Sequence, residues 1–265
     1  MNKNNKSFLN GLVVVTFVGM VIVNALANIL PINGLSTGEV SDSYPNLFAP
    51  AGLTFSIWGV IYLLLFLHTL YQIGLLRGKD KQVNDALLQK TAVAFSMSSI
   101  VNSLWIFAWH YKAIPVSMIL MVCLLVCLIY IAMITHSQKL SLRENVLVRI
   151  PFSVYFGWIT VATIANATTL LVSIGWNGFG LKESTWTIIM LVIGVLIGIL
   201  TSIRLKNIAY HLVLIWAYIG ILIKHTSEKG FSKQYPIVIL VIIICIVVYT
   251  VSLIYNIIGK RKKFG

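Results

Sequence analysis

Aromatic and amide side chains recur at helical spacing inside the apolar stretches of this chain. In the run Tyr155-x-x-Trp158-x-x-x-Ala162-x-x-x-Asn166, steps of 3, 4 and 4 residues place all four side chains on one helix face. Aromatic rings can stack on a flat apolar molecule, and an amide can orient that molecule through hydrogen bonds. The stripe therefore predicts ligand binding rather than covalent catalysis.

Two further pairs could complete such a site. Trp58 and Tyr62 are four residues apart and share one helix face, and Asn102 is followed three residues later by Trp105. Each amide also has a structural interpretation, because buried amides commonly bond neighbouring helices to one another in membranes. That interpretation applies equally to Asn24 in the first apolar stretch.

The tryptophans divide by depth in their stretches. Tryptophan at the end of a membrane span is often an anchor at the lipid headgroups. The residues at such ends are Trp109, Trp176 and Trp186. The deeper ones, which favour a pocket inside a helix bundle, are Trp58, Trp105 and Trp158.

Charged side chains are missing from the centres of the apolar stretches. Intramembrane charges usually mark proton relays, ion paths or cofactor counter-ions, so the pattern disfavours an ion-coupled transporter and a retinal protein. His68 is the only titratable group near a centre, and we expect it to bond a neighbouring helix. No HExxH motif and no clustered His or Asp occurs, so we expect neither a metal site nor an enzyme. The thiols at Cys123, Cys127 and Cys245 are expected to behave as small hydrophobic groups.

Eight apolar stretches long enough to cross a bilayer supply the elements that must position these residues. They cover residues 8–30, 55–76, 91–109, 113–134, 152–173, 185–203, 208–223 and 236–258, of which the seventh is the shortest. A hydrophobic content of 58% and a mean hydropathy of +0.92 agree with this interpretation. The sequence therefore predicts an all-α, multi-pass membrane bundle, with the first stretch retained as a span.

The basic residues indicate the orientation. With eight spans both termini share one side, and that side holds fifteen of the twenty Lys and Arg residues. By the positive-inside rule both termini are cytoplasmic, and the plasma membrane is the expected location. The net charge is +13, and the basic residues lie at the ends of the apolar stretches and in a basic tail at 260–263. The expected partner of these residues is therefore membrane lipid and not nucleic acid.

Together these residues resemble one known family. The segment Pro45-Asn46-Leu47-Phe48-Ala49-Pro50, followed by the Trp58–Tyr62, Asn102–Trp105 and 155–166 patterns in this order, resembles the TspO/MBR family of tryptophan-rich sensory and translocator proteins over residues 8–173. The resemblance implies a five-helix bundle in residues 1–175, a capping loop at 31–54, and a pocket that binds porphyrins. The implied ligand-binding residues are Trp58, Tyr62, Asn102, Trp105, Tyr155, Trp158, Ala162 and Asn166.

Two departures from the family pattern stand out. The family's Trp-x-Pro-Pro loop motif is here Leu47-Phe48-Ala49-Pro50, so its Trp and one Pro are replaced. Three further helices and the basic tail are expected in residues 176–265, where Gly194 and Gly198 form a small-xxx-small ridge that lets helices approach closely.

The leading hypothesis is a membrane binding protein for a small, flat, largely apolar ligand such as a porphyrin, with no resident cofactor or metal. A transporter or permease for a neutral or amphipathic solute is the first alternative. The second alternative is a structural or assembly protein, in which the amides and glycines only pack helices. The sequence leaves the formation of a homodimer open.

Overall fold

The computed structural model describes residues 3–30, 32–78 and 84–261. The predicted loop residue Pro31 and the basic residues Lys79, Lys81, Lys262 and Lys263 lie outside the described residues. Within those ranges the chain is helical and contains no strand, which confirms the all-α prediction.

Ten α-helices follow one another along the described chain. Their bounds are α1 Lys3–Ile29, α2 Thr37–Asp42, α3 Ile57–Ile73, α4 Asp85–His110, α5 Ile114–His136, α6 Leu142–Glu144, α7 Ile150–Ser173, α8 Glu183–Leu205, α9 Ile208–Thr226 and α10 Pro236–Arg261. A π-helical turn, Asn145–Arg149, joins α6 to α7. In the described ranges, eight helical segments are long and apolar enough to span a membrane, and each overlaps one of the eight predicted stretches, including the short seventh. The chain is therefore a multi-pass integral membrane protein.

Polar residues define several helix starts. The side chains of Asn84 and Asn207 accept hydrogen bonds from backbone N–H groups in the first turns of α4 and α9. Ser141 and Glu144 form a reciprocal capping box at α6. These caps satisfy N–H groups that a helix start leaves without an internal partner.

The chain divides into two compact units. The first unit comprises residues 1–37 and 58–156, in which α4 packs against α1 and α5. Its core includes the rings of Phe95 and Phe152, whose centroids are 5.2 Å apart in an edge-on arrangement. The ring of His68 packs edge-on against both.

The second unit comprises residues 38–57 and 157–265, in which α10 packs against α8 and α9. The predicted close approach at the glycine ridge of α8 is confirmed. A Cβ atom at Gly194 would overlap the Tyr218 hydroxyl, and one at Gly198 would lie 2.5 Å from Leu214 and from Tyr249. The compact units follow a different division from the boundary predicted near residue 175, which stays a prediction.

Candidate functional site

Three of the predicted site residues form an aromatic cluster in the first unit. The rings of Trp58 and Tyr62 stack with centroids 5.5 Å apart and planes 17° apart. Tyr155, from the start of α7, meets the same indole edge-on at 5.8 Å. The four-residue spacing on α3 thus places two rings in register, and a third ring from α7 closes one side of the cluster.

Asn102 carries the amide predicted for this site, and it is fully buried on α4. Its Oδ1 accepts a hydrogen bond of 2.7 Å from Asn24 Nδ2, whose second acceptor is the Met20 carbonyl. The interhelical hydrogen bond expected of such amides is therefore present between α1 and α4. This hydrogen bond uses the Oδ1 acceptor of Asn102 and leaves its NH₂ group able to donate to another molecule.

Three buried polar atoms of this cluster lack hydrogen-bond partners among the described residues. They are the hydroxyl oxygens of Tyr62 and Tyr155 and the Nδ2 atom of Asn102. The Tyr155 hydroxyl lies close enough to Asn102 and Tyr62 to interact with them electrostatically, but it forms no hydrogen bond with either residue. Because an unpaired buried polar group costs free energy, three in one cluster indicate a place where a ligand's polar edge would be stabilising.

Trp105 is buried on α4 and stacks on Trp109, with centroids 5.5 Å apart and planes 23° apart. Trp109 was expected to be a headgroup anchor, and this expectation is wrong. Its side chain is 4% exposed, and its indole N–H donates to the carbonyl of Thr37 at 3.1 Å. Trp109 therefore holds the loop that follows α1 instead of facing lipid.

His110, next to Trp109, was not singled out from the sequence. Its Nδ1 donates to the Ile32 carbonyl and its Nε2 lies 3.1 Å from the Thr37 hydroxyl. Its own carbonyl accepts a bond from the Asn33 amide. The last turn of α4 thus fixes the first part of the predicted capping loop.

The remaining predicted residues lie in the second unit. Trp158 and Asn166 are buried on α7, and Ala162 is half-buried between them. Trp158 packs edge-on against Phe55, with ring centroids 5.7 Å apart. Since α7 is a continuous helix over this range, the predicted common face of the three side chains exists.

The second part of the capping loop is bound by one face of α9. Trp216 Nε1 donates to the Thr54 carbonyl at 3.1 Å, and the Gly220 carbonyl accepts from the Ala51 amide at 3.0 Å. Lys224 forms a 2.7 Å ion pair with Asp42. The positions 216, 220 and 224 are spaced by four residues, so the helix period explains how α9 reaches three points of the loop.

The loop itself is compact where it departs from the family motif. Leu47 and Phe48 are 2% and 1% exposed. Asn46 Oδ1 accepts hydrogen bonds from the amides of Phe48 and Ala49 and from the Thr168 hydroxyl. The apolar residues that replace the family's Trp-x-Pro-Pro pattern are therefore packed inward and are not exposed.

His68 has the structural role predicted for it. Its Nδ1 donates to the Leu147 carbonyl at 2.9 Å, within the π-helical turn that precedes α7. The three cysteines are free thiols, and the described residues include no group of three His, Cys, Asp or Glu side chains that could hold a metal ion.

The fold defines a multi-pass helical membrane protein, and it brings half-buried and buried aromatic rings together with a buried amide in its first unit. A model of the family described as TSPO-like protein matches residues 10–255, and the chain therefore belongs to the TSPO-like family. The match extends beyond the resemblance seen at residues 8–173 and includes most of α8 to α10. No curated protein and no solved structure matches the chain significantly.

Proposed function

We propose that this protein is a membrane-embedded, non-enzymatic binding protein of the TspO type, and that its ligand is a flat, largely apolar molecule of the porphyrin kind. The observation that carries the proposal is the cluster around Trp58, where stacked rings adjoin three buried polar atoms without partners. Ligand sites usually combine apolar walls with a few polar groups in this way.

The chemistry of the cluster supports this ligand class. The half-buried rings of Trp58 and Tyr62 offer surface for stacking, which is favourable for a planar aromatic molecule, and the fully buried Tyr155 supports Trp58 edge-on. Asn102 Nδ2 can only donate a hydrogen bond, whereas the two tyrosine hydroxyls can donate or accept. A flat molecule with a carbonyl or carboxylate edge would satisfy all three groups. The family resemblance adds Trp105, Trp158, Ala162 and Asn166 as ligand-binding residues, and these assignments stay predictions.

The membrane setting completes the proposal. The asymmetry of fifteen against five basic residues supports cytoplasmic termini in a plasma membrane. The predicted capping loop would then face the opposite side. It carries Glu39 and Asp42 and no basic residue, so recognition in the site rests on stacking and neutral hydrogen bonds rather than on charge pairing.

A titration of the purified full chain with protoporphyrin IX, followed by quenching of tryptophan fluorescence, tests this function. We expect saturable quenching by the wild type and at least tenfold weaker affinity for Asn102→Leu, because a donor to the ligand is lost. The matched control is Ser103→Ala on the same helix. Among the described residues the Ser103 hydroxyl bonds only the Ser99 carbonyl, so the ligand affinity of this variant should stay within twofold of the wild type. Quenching that does not saturate, or equal affinities for both variants, would overturn the proposal.

A further inference from the structure

The second unit contains a cavity that the proposed porphyrin site does not include. It has a volume of about 470 Å³ and lies between loop residues 45–48, the end of α7 and the start of α8. This volume is within the range of about 300–1,000 Å³ typical of small-molecule sites. All residues that line the cavity belong to this one compact unit.

Two tryptophans form an aromatic wall of this cavity. The rings of Trp176 and Trp186 have centroids 4.8 Å apart and planes tilted by 59°. The indole N–H of Trp186 donates to the Gly178 carbonyl at 2.6 Å, which fixes that ring. Leu47, Phe48 and other apolar residues form most of the remaining wall, which also includes the polar residues Asn46, Thr168, Asn177, Glu183 and Thr187. The cavity is therefore mainly apolar and has an aromatic wall.

Glu183 is the single charged side chain among the described residues that line the cavity. Its Oε1 accepts a hydrogen bond of 3.2 Å from the Leu47 amide. In the part of the chain that the structure describes, no cation pairs with this carboxylate. Among the described residues, the neighbouring Lys182 forms no ion pair, and Lys224 is bound to Asp42. The Glu183 side chain is exposed and lines the cavity.

We propose that this cavity binds a small amphipathic organic cation. The ammonium group would lie between the Glu183 carboxylate and the ring faces of Trp176 and Trp186, and the apolar part would fill the space against Leu47 and Phe48. A carboxylate attracts a cation directly, and tryptophan is the aromatic side chain that attracts cations most strongly through its ring face. A neutral or anionic molecule of the same shape would lack both interactions.

A charge series of ligands with the same phenylalkyl tail tests this proposal. The probes are (4-phenylbutyl)trimethylammonium, the neutral 5-phenylpentan-1-ol and the anionic 5-phenylvalerate, titrated calorimetrically into the full chain in nonionic detergent. We expect the cation to bind at least tenfold more tightly than the alcohol, and the anion to show no saturable binding. Equal affinity for cation and alcohol would mean a merely apolar cavity and would overturn the proposal, as would absence of saturable binding by the cation.

Two substitutions locate the charge effect. Glu183→Gln removes the charge but keeps an oxygen that can accept the Leu47 amide, so the loop contact is retained. We expect at least tenfold weaker binding of the cation and unchanged binding of the alcohol. Glu228→Gln, an exposed acid outside the cavity lining, is the matched control and should change neither affinity. Trp176→Leu should weaken cation binding severalfold. Cation affinity that is the same in Glu183→Gln and the wild type would contradict the assignment.

Discussion

The Nε2 atom of His225 lies 2.8 Å from the carbonyl oxygen of Leu47, so a side chain of α9 binds the main chain of the predicted capping loop. The amide of the same loop residue donates to Glu183 at the start of α8. Both backbone groups of Leu47 are thus held by side chains from the C-terminal helices. These helices lie in the region matched by the family model, and they position the loop whose family motif has changed.

Loss of the imidazole at position 225 should loosen this loop. His225→Leu leaves the buried Leu47 carbonyl without a donor, which costs about 1–3 kcal/mol. We expect a lower thermal unfolding midpoint and faster amide hydrogen exchange at residues 45–50. His136→Leu, at the exposed end of α5, is the control and should change neither quantity. Unchanged exchange in the loop of His225→Leu would contradict the anchoring role.

A methyl group at Gly220 should separate α9 from the loop. A Cβ atom there would overlap the Thr54 side chain, whereas one at Gly59 on α3 would meet nothing within 4 Å. We expect Gly220→Ala to destabilise the protein by about 1–3 kcal/mol, as overpacking of a close contact usually does. Gly59→Ala should be neutral or slightly stabilising, because alanine favours helix. Equal unfolding midpoints for the two variants would show that the close approach is unimportant.

The amide pair of α1 and α4 should behave as a coupled unit. Asn24→Leu removes the donor to Asn102, and Asn102→Leu removes the acceptor, so either change breaks the same hydrogen bond. We expect a coupling energy of about 0.6–2 kcal/mol in a double-mutant cycle, the range measured for hydrogen bonds between membrane helices. Chemical unfolding in detergent measures it. Strictly additive effects of the two substitutions would refute the pairing.

The transporter alternative makes a separable prediction. Binding without translocation means that proteoliposomes take up protoporphyrin IX no faster than protein-free vesicles, although the detergent-solubilised protein binds it. Asn102→Leu, which should bind protoporphyrin IX weakly, shows whether any uptake depends on the binding site. Uptake that depends on wild-type protein and is reduced by Asn102→Leu would make the same cluster a transport site.

Much of the architecture is predictable from local sequence. Eight helices follow from apolar length alone, and the register of Trp58 with Tyr62 follows from a spacing of four residues. The contacts of the capping loop could not be predicted in this way. His225 and Leu47 are 178 residues apart, and neither belongs to a motif that indicates the other. The sequence signal that could have suggested α9 as the anchor is the four-residue recurrence of Trp216, Gly220 and Lys224.

The position of a tryptophan along a predicted span does not reliably predict whether its ring faces lipid or is buried. Trp109 lies at the end of its predicted stretch, where tryptophan commonly anchors at headgroups, yet the returning loop supplies an acceptor at Thr37 and buries the ring. Nothing near Trp109 in sequence identifies that acceptor. For Asn102 the sequence suggested either a structural or a ligand-binding role, and the structure is compatible with both. Its Oδ1 bonds Asn24, and its Nδ2 has no hydrogen-bond partner among the described residues.

The central claim, that a flat ligand binds at the Trp58 cluster, is tested most directly by photo-crosslinking. A diazirine derivative of protoporphyrin IX is bound to the full chain, activated, and its attachment sites are mapped by mass spectrometry. We expect labels at residues 58–62, 102–105 and 155. Excess protoporphyrin IX should abolish these labels, and Glu183→Gln should leave them unchanged. Labels confined to residues 171–190 or to α10, or labels that protoporphyrin IX does not displace, would contradict it.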